Sequence, residues 1–176
     1  VSNSMPIRDL DAVLRPVQGS MRVIANRGAN GIDGVIATAG GLAQASGLPT
    51  TALVGDVAAV HDLGGLAAAA RLGLDDLTVV VIDNNAGGIF SFLPIASAID
   101  ADAFDELFGT PHHTDLAAVG GALGFATTAV TSLEGFTAAL RADEVGPRLI
   151  VARTRAATTV DQLGGLRDAV DAALRR

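Results

Sequence analysis

The run Thr78–Asp83, TVVVID, sets the tightest limit on what this chain can fold into. Side chains of a strand alternate between its two faces, so the unbroken apolar stretch Val79–Ile82 requires burial on both. Met21–Asn26, Thr50–Asp56 and Arg148–Thr154 share this character, being short, β-branched and bounded by turn residues, and Gly124–Thr131 is a weaker candidate. Between these runs lie helical stretches at Gly34–Ser46, about His61–Leu72, Asp115–Leu123, Ser132–Ala142 and Val160–Arg175. Such alternation predicts an α/β fold, a three-layer sandwich in which helices cover both faces of a parallel β-sheet. A length of 176 residues suits a single domain spanning 1–176. Apolar residues make up 49% of the chain and aromatics 3%, so the core must be built from Ala, Val, Leu and Ile.

Several kinds of chemistry are excluded by composition. The chain has no Cys, which removes disulfides, zinc fingers and thiol catalysis. All 12 basic residues are Arg, and without Lys there is no Walker A motif and no Schiff base. A net charge of −7 with no basic cluster argues against a nucleic-acid partner. No charge occurs from Gly34 to Gly55, a run of membrane-spanning length. Pro49 and the scattered Gly, Ser, Thr and Gln instead predict a buried helix followed by a buried strand, with no membrane span. The opening VSNSMPIRDLD, without Met or a signal sequence, reads as the end of a strand already in progress and as a cut inside a longer protein. Residues 94–114 are the least regular part, and short helical turns within a loop are expected there.

Ligands of open parallel sheets bind beyond the carboxyl ends of the strands, which directs attention to three segments. NRGANGIDG, residues 26–34, spaces its glycines at GxxGxxG, unlike the dinucleotide fingerprint. Its turn would allow close backbone approach, the following helix N-terminus favours an anion, and Arg27 at its mouth suits a carboxylate or phosphate. A plain strand-to-helix turn is the competing reading. In LVGDVAAVHDLGGL, residues 53–66, Asp56 directly follows a buried strand, where an ionised carboxylate needs a partner or a metal. Helix capping is the alternative for Asp56, and His61–Asp62 fits a helix start better than a metal pair. In DNNAGGIFSFLP, residues 83–94, Asn84 and Asn85 end a strand and Gly87–Gly88 let the chain swing away, although Asx-turns alone would explain the amides. Asp56 and Asn84 end successive strands joined by one crossover, so they are expected to be neighbours. A carboxylate, an amide oxygen and a backbone carbonyl form the hard, sparse set that Mg²⁺ prefers. His112 and His113 are adjacent, a poor spacing for chelation, and a surface or supporting role is expected for them.

The pairing of GD after one strand with NN after the next resembles the cofactor-binding motif of thiamin diphosphate enzymes. With SNSMPIRDLD, NRGANGIDG, HDLGGL and NNAGGIFSFLP, the chain resembles the C-terminal, diphosphate-binding domain of the 2-succinyl-5-enolpyruvyl-6-hydroxy-3-cyclohexene-1-carboxylate synthase family of menaquinone biosynthesis. The specific motifs cover residues 1 to about 125, and the last fifty residues match only in pattern. The resemblance implies a transferase that decarboxylates 2-oxoglutarate and adds the succinyl-semialdehyde carbanion to isochorismate, with thiamin diphosphate and Mg²⁺ or Mn²⁺ as cofactors. It implies Asp56, Asn84 and the Ala86 carbonyl as metal ligands, Ala86 standing where the family commonly has Gly. Gly55 and Ile89 would join them in binding the cofactor, and Ile32 would wedge between its two rings. Ser4, Arg8 and Arg27 would hold the dianionic substrates, and Ile89, Phe90 and Leu93 would form an apolar wall over the reacting carbon.

In that family the glutamate that activates the cofactor lies in a pyrimidine-binding domain of a neighbouring subunit. Glu106, Glu134 and Glu144 are the chain's only glutamates and none stands in such a motif, so the chain is expected to hold half an active site and to be inactive alone. A cytoplasmic homodimer or homotetramer is implied for the full-length protein. Two competing readings are the small subunit of a split thiamin-dependent 2-oxoacid decarboxylase and a non-catalytic α/β interaction module.

Overall fold

The computed structural model describes residues 1–15, 19, 21–26 and 31–175. Four parallel strands, β1 (Thr50–Gly55), β2 (Leu77–Asp83), β3 (Ala126–Val130) and β4 (Arg148–Arg153), form a sheet in the order β1-β2-β4-β3. Around it lie α1 (Met5–Val13), α2 (Val35–Ser46), α3 (Asp56–His61), α4 (Leu63–Leu72), α5 (Leu116–Leu123), α6 (Leu133–Arg141) and α7 (Ala156–Leu174). Within the irregular stretch 94–114 short helical turns occur at 95–98, 101–104 and 105–109, as expected, and a further one lies before it at 88–92.

The two-faced burial expected of the strands is present. Leu77, Val79 and Val81 of β2 face one side with Ala52 and Val54 of β1 and Leu149 and Val151 of β4, where α2, α4 and α5 cover them through Ile36, Leu66 and Leu116. Val80 and Ile150 face the other side and meet Val130 and Ala139, so α6 packs there. Chain handedness accounts for this division. The connections from β1 to β2 and from β2 to β3 run in one direction along the sheet, and the connection from β3 to β4 runs back. Right-handed crossovers therefore place α6 on the face opposite α4 and α5.

Two expectations fail. Met21–Asn26 is not a strand: Met21, Val23 and Ile24 are exposed, at 57%, 46% and 45%. A β-branched run becomes a strand only where a free edge pairs with it. Here Ser2 occupies part of the outer edge of β1, donating its N–H to the Leu53 carbonyl at 2.8 Å, while the Ile24 carbonyl accepts from the Val1 ammonium at 2.8 Å. The opening segment likewise continues as α1 rather than as the end of a strand. Pro6 is accommodated because the first turn of a helix has no use for that N–H.

Candidate functional site

The carboxyl ends of β1 and β2 meet at Asp56 and the loop 84–88. Asp56 opens α3 directly after β1 and is 4% exposed. Its Oδ1 accepts the Val57 N–H at 2.8 Å, and its Oδ2 accepts the Asn84 N–H at 2.9 Å and the Ala86 N–H at 3.2 Å. The Asn84 Oδ1 accepts the same Ala86 N–H at 3.1 Å, so two side-chain oxygens from different strands converge on one point. Burial pushes the Asp56 carboxyl above its usual range, partly offset by the N–H groups of Val57 and Asn84 and by His112. A buried carboxylate of that kind is suited to a cation, which removes the penalty of its charge. A carboxylate and an amide oxygen are of the hard donor type that suits Mg²⁺ or Mn²⁺, while the Ala86 carbonyl accepts the Gly88 N–H at 2.9 Å.

Local chemistry shapes the loop. Asn85 adopts φ 58°, a conformation Asn tolerates, and its N–H returns to the Asp83 Oδ1 at 3.1 Å. An Asx-turn and the convergence of Asp56 and Asn84 on the Ala86 N–H thus coexist in this loop. Ala86 is not among the positive-φ residues, so alanine meets no backbone penalty there. Gly87 and Gly88 serve close approach rather than an unusual turn: a Cβ at Gly88 would lie 2.5 Å from the Asn84 Nδ2, and one at Gly87 would lie 2.7 Å from the Phe108 carbonyl oxygen. Beyond them Ile89 is half-buried, Phe90 packs edgewise on Phe108 with ring centroids 5.8 Å apart, and Leu93 is exposed. A cavity of about 470 Å³ opens beside the loop, lined in part by Asn84, Asn85, Ala86, Ser91 and Pro111.

The other expected site residues are placed less directly. Ser4, with φ 70°, precedes α1, and Arg8 is exposed on that helix. The first turn of α1 reaches the end of β1, where a Cβ at Gly55 would lie 3.9 Å from the Pro6 Cγ. Ile32 packs against the larger core cluster. The Asn3 amide donates to the Gly31 carbonyl at 3.2 Å and so joins that turn to the opening segment. Arg27 lies outside the described residues. Glu106, Glu134 and Glu144 are all exposed.

One expected role is taken by the chain itself. The N-terminus of α2 was read as a place for an anion, and the anion there is Asp62, 6% exposed, whose Oδ2 accepts the N–H groups of Ile36 at 2.6 Å and Ala37 at 3.1 Å. Gly65 permits this approach, since a Cβ would fall 2.7 Å from the Ala37 nitrogen. Of the surface or supporting roles expected for His112, the surface one is excluded: its side chain is 10% exposed, and its Nε2 lies 3.5 Å from the Asp56 Oδ2. No spacing rule signals this, because the contact is made by a loop that folds back over the strand ends.

Fold and site together define a parallel α/β domain whose strand ends gather a buried carboxylate and an amide oxygen from neighbouring strands. Residues 12–152 match the family described as "Thiamine pyrophosphate enzyme, C-terminal TPP binding domain", and the chain belongs to that family. It is 54% identical over 125 residues to the 2-succinyl-5-enolpyruvyl-6-hydroxy-3-cyclohexene-1-carboxylate synthase of Myxococcus xanthus, covering 69% of this chain and 21% of the relative. The synthase of the same description from Thermobifida fusca is 43% identical over 176 residues, covering 98% of this chain and 31% of the relative. The chain thus spans less than a third of the length of these relatives, and the likeness to the second extends through the last fifty residues. Among solved structures, the thiamine diphosphate-dependent 4-hydroxybenzoylformate decarboxylase of Rhodococcus jostii RHA1 overlaps 60% of this chain and 19% of its own, at 26% identity and a TM-score of 0.48.

Proposed function

We propose that this chain is the diphosphate- and cation-binding domain of a longer thiamin diphosphate-dependent synthase that decarboxylates 2-oxoglutarate and transfers the four-carbon remainder to isochorismate. The products would be CO₂ and 2-succinyl-5-enolpyruvyl-6-hydroxy-3-cyclohexene-1-carboxylate. The observation that carries this reading is the convergence of Asp56 and Asn84 on the Ala86 N–H, which brings two side-chain oxygens to one partly buried point at the strand ends. The identity of 43 to 54% to synthases of that description supports it.

In this reading Asp56, Asn84 and the Ala86 carbonyl would hold Mg²⁺, the partner ion of the cofactor's diphosphate, and Gly55 and Ile89 would contribute to the cofactor site. Bound thiamin diphosphate supplies the electron sink for decarboxylation. The chain's own residues bind, orient and exclude water. Ile32, packed against the larger core cluster, would adjoin the cofactor from the turn before α2. Ser4, Arg8 and Arg27 receive the substrate carboxylates and hydroxyls. Ile89, Phe90 and Leu93 present apolar surface where charge is lost as CO₂ departs. The activating glutamate comes from the pyrimidine-binding domain of a neighbouring subunit in a cytoplasmic homodimer or homotetramer.

The test is calorimetry of thiamin diphosphate with and without Mg²⁺, followed by assay with both substrates. Binding that requires Mg²⁺ and Asp56, no turnover by the chain alone, and turnover when the remaining domains are supplied would support the reading. Turnover by the chain alone would overturn the half-site assignment, and Mg²⁺-independent binding would overturn the role of Asp56.

A further inference from the structure

His112 reaches the cation site from a sequence segment that carries none of the expected ligands. Its side chain is nine-tenths buried, between Asp56 at 3.5 Å and Asp83 at 3.9 Å, both measured from its Nε2 to a carboxylate oxygen. The Nδ1 of the ring accepts the Thr114 N–H at 3.0 Å. A ring that accepts at Nδ1 carries its proton on Nε2, so the atom facing the two carboxylates is a donor with no free lone pair. His112, Asp56 and Asp83 therefore do not make a three-ligand metal site, although their polar atoms all lie within 4.8 Å of one another. Instead a buried Nε2, without a hydrogen-bond partner in this arrangement, lies within 3.9 Å of two acids.

The segment that delivers it is fastened to the site loop. The Gly87 N–H donates to the Gly109 carbonyl at 2.6 Å, and the His113 N–H donates to the Asn85 Oδ1 at 2.8 Å. The Asn85 Nδ2 and His113 Nδ1 lie 3.3 Å apart. Asn85 therefore serves this clamp, whereas its neighbour Asn84 serves the cation side.

We propose that His112 is a positioning residue of the cation site: its Nε2–H bridges toward Asp56 and Asp83, aims the Asp56 carboxylate at the cation and keeps Asp83 out of the ligand set. Repulsion between the two acids is lowered by the shared donor, and Asp83 stays engaged with the Asn85 N–H. This inference rests on the cation reading of Asp56 and Asn84, and the experiment separates the two.

Mn²⁺ binding is read by electron paramagnetic resonance on this chain and on Asp56→Ala, His112→Leu and His112→Gln, with a metal-free melting curve for each. Imidazole ¹⁵N shifts of the metal-free chain are recorded alongside. Asp56→Ala is expected to abolish binding, His112→Leu to weaken it about tenfold, and His112→Gln, which keeps a donor at the Nε2 position, to restore it to within about twofold. The ¹⁵N shifts should place the ring proton on Nε2. Unchanged affinity in His112→Leu, failure of His112→Gln to rescue, or a proton on Nδ1 would overturn the role of His112 while leaving the cation site standing. No Mn²⁺ binding by the parent, or full binding by Asp56→Ala, would overturn the cation reading and this inference with it.

Discussion

The Asp56 Oδ2 accepts the Asn84 N–H at 2.9 Å, and this one bond joins the ends of two neighbouring strands at the bottom of the site. Asp56 is buried and raised in pKa by desolvation, and this bond partly offsets the rise. The predictions below follow from this arrangement and from the packing that supports it.

Asp56→Asn should separate stability from function. Because burial raises this pKa, Asp56 is more protonated in the folded than in the unfolded chain between the ordinary value of 3.8 and the higher folded one, and over that window metal-free stability falls as pH rises. The amide removes this slope and can still accept the Asn84 N–H. Scanning calorimetry without metal should find it melting at least as high as the parent at neutral pH, whereas Asp56→Ala loses about 1–3 kcal/mol by stranding that N–H. Neither variant should show the rise in melting temperature that Mg²⁺ and thiamin diphosphate give the parent.

Gly88→Ala tests the close approach in the loop. The new Cβ would lie 2.5 Å from the Asn84 Nδ2 and must displace that side chain. Mg²⁺-dependent binding of thiamin diphosphate should weaken about tenfold or more by titration calorimetry, with the metal-free melting curve much less affected.

Packing beneath the site is tested by Gly120→Ala and Leu66→Ala. A Cβ at Gly120 would overlap the Leu149 Cδ2 and lie 2.9 Å from the Thr127 Oγ1, pushing α5 off the sheet. Overpacking there should cost about 1–3 kcal/mol. Leu66 is fully buried, and its truncation should cost about 2–5 kcal/mol. Urea denaturation midpoints measure both.

Asp115→Ala should show its effect above the acid range only. Asp115 Oδ1 accepts the N–H groups of Ala117 at 3.1 Å and Ala118 at 3.2 Å and pairs with the Arg153 guanidinium at 3.1 Å. The Ala118 N–H first, then Arg153, holds this carboxyl below 3.8. A lowered carboxyl pKa stabilises the fold above the unfolded value and ceases to do so as pH falls through the folded one. The melting-temperature gap between variant and parent should therefore be present at neutral pH and close as the pH drops below about 4.

The parallel sheet was legible because its strands, apolar on both faces, and its helices, with their turn residues, are local patterns. Asp56 and Asn84 were legible as neighbours for a related reason: two strands joined by a single crossover lie side by side, and their ends line up. Asp115 and Ser132, each opening a predicted helix, do accept N–H groups of its first turn. The glycines of the site loop were recognised, but their reason was not. Gly87 and Gly88 answer to atoms of Phe108 and Asn84, and those approaches exist only after the loop has closed.

What the sequence alone determined is therefore the architecture and the two oxygen donors, since periodicity and strand-end position are properties of short windows of chain. Tertiary structure decided the rest. Whether Met21–Asn26 became a strand depended on a free edge to pair with, which Ser2 partly occupies. Which anion sits at the start of α2 depended on the approach of α4, which brings Asp62 there. His112 entered the site because the segment 109–113 clamps onto residues 85–87, bringing a buried donor to acids far away in sequence. Each outcome depends on distances through space, which short-range patterns in the chain do not encode.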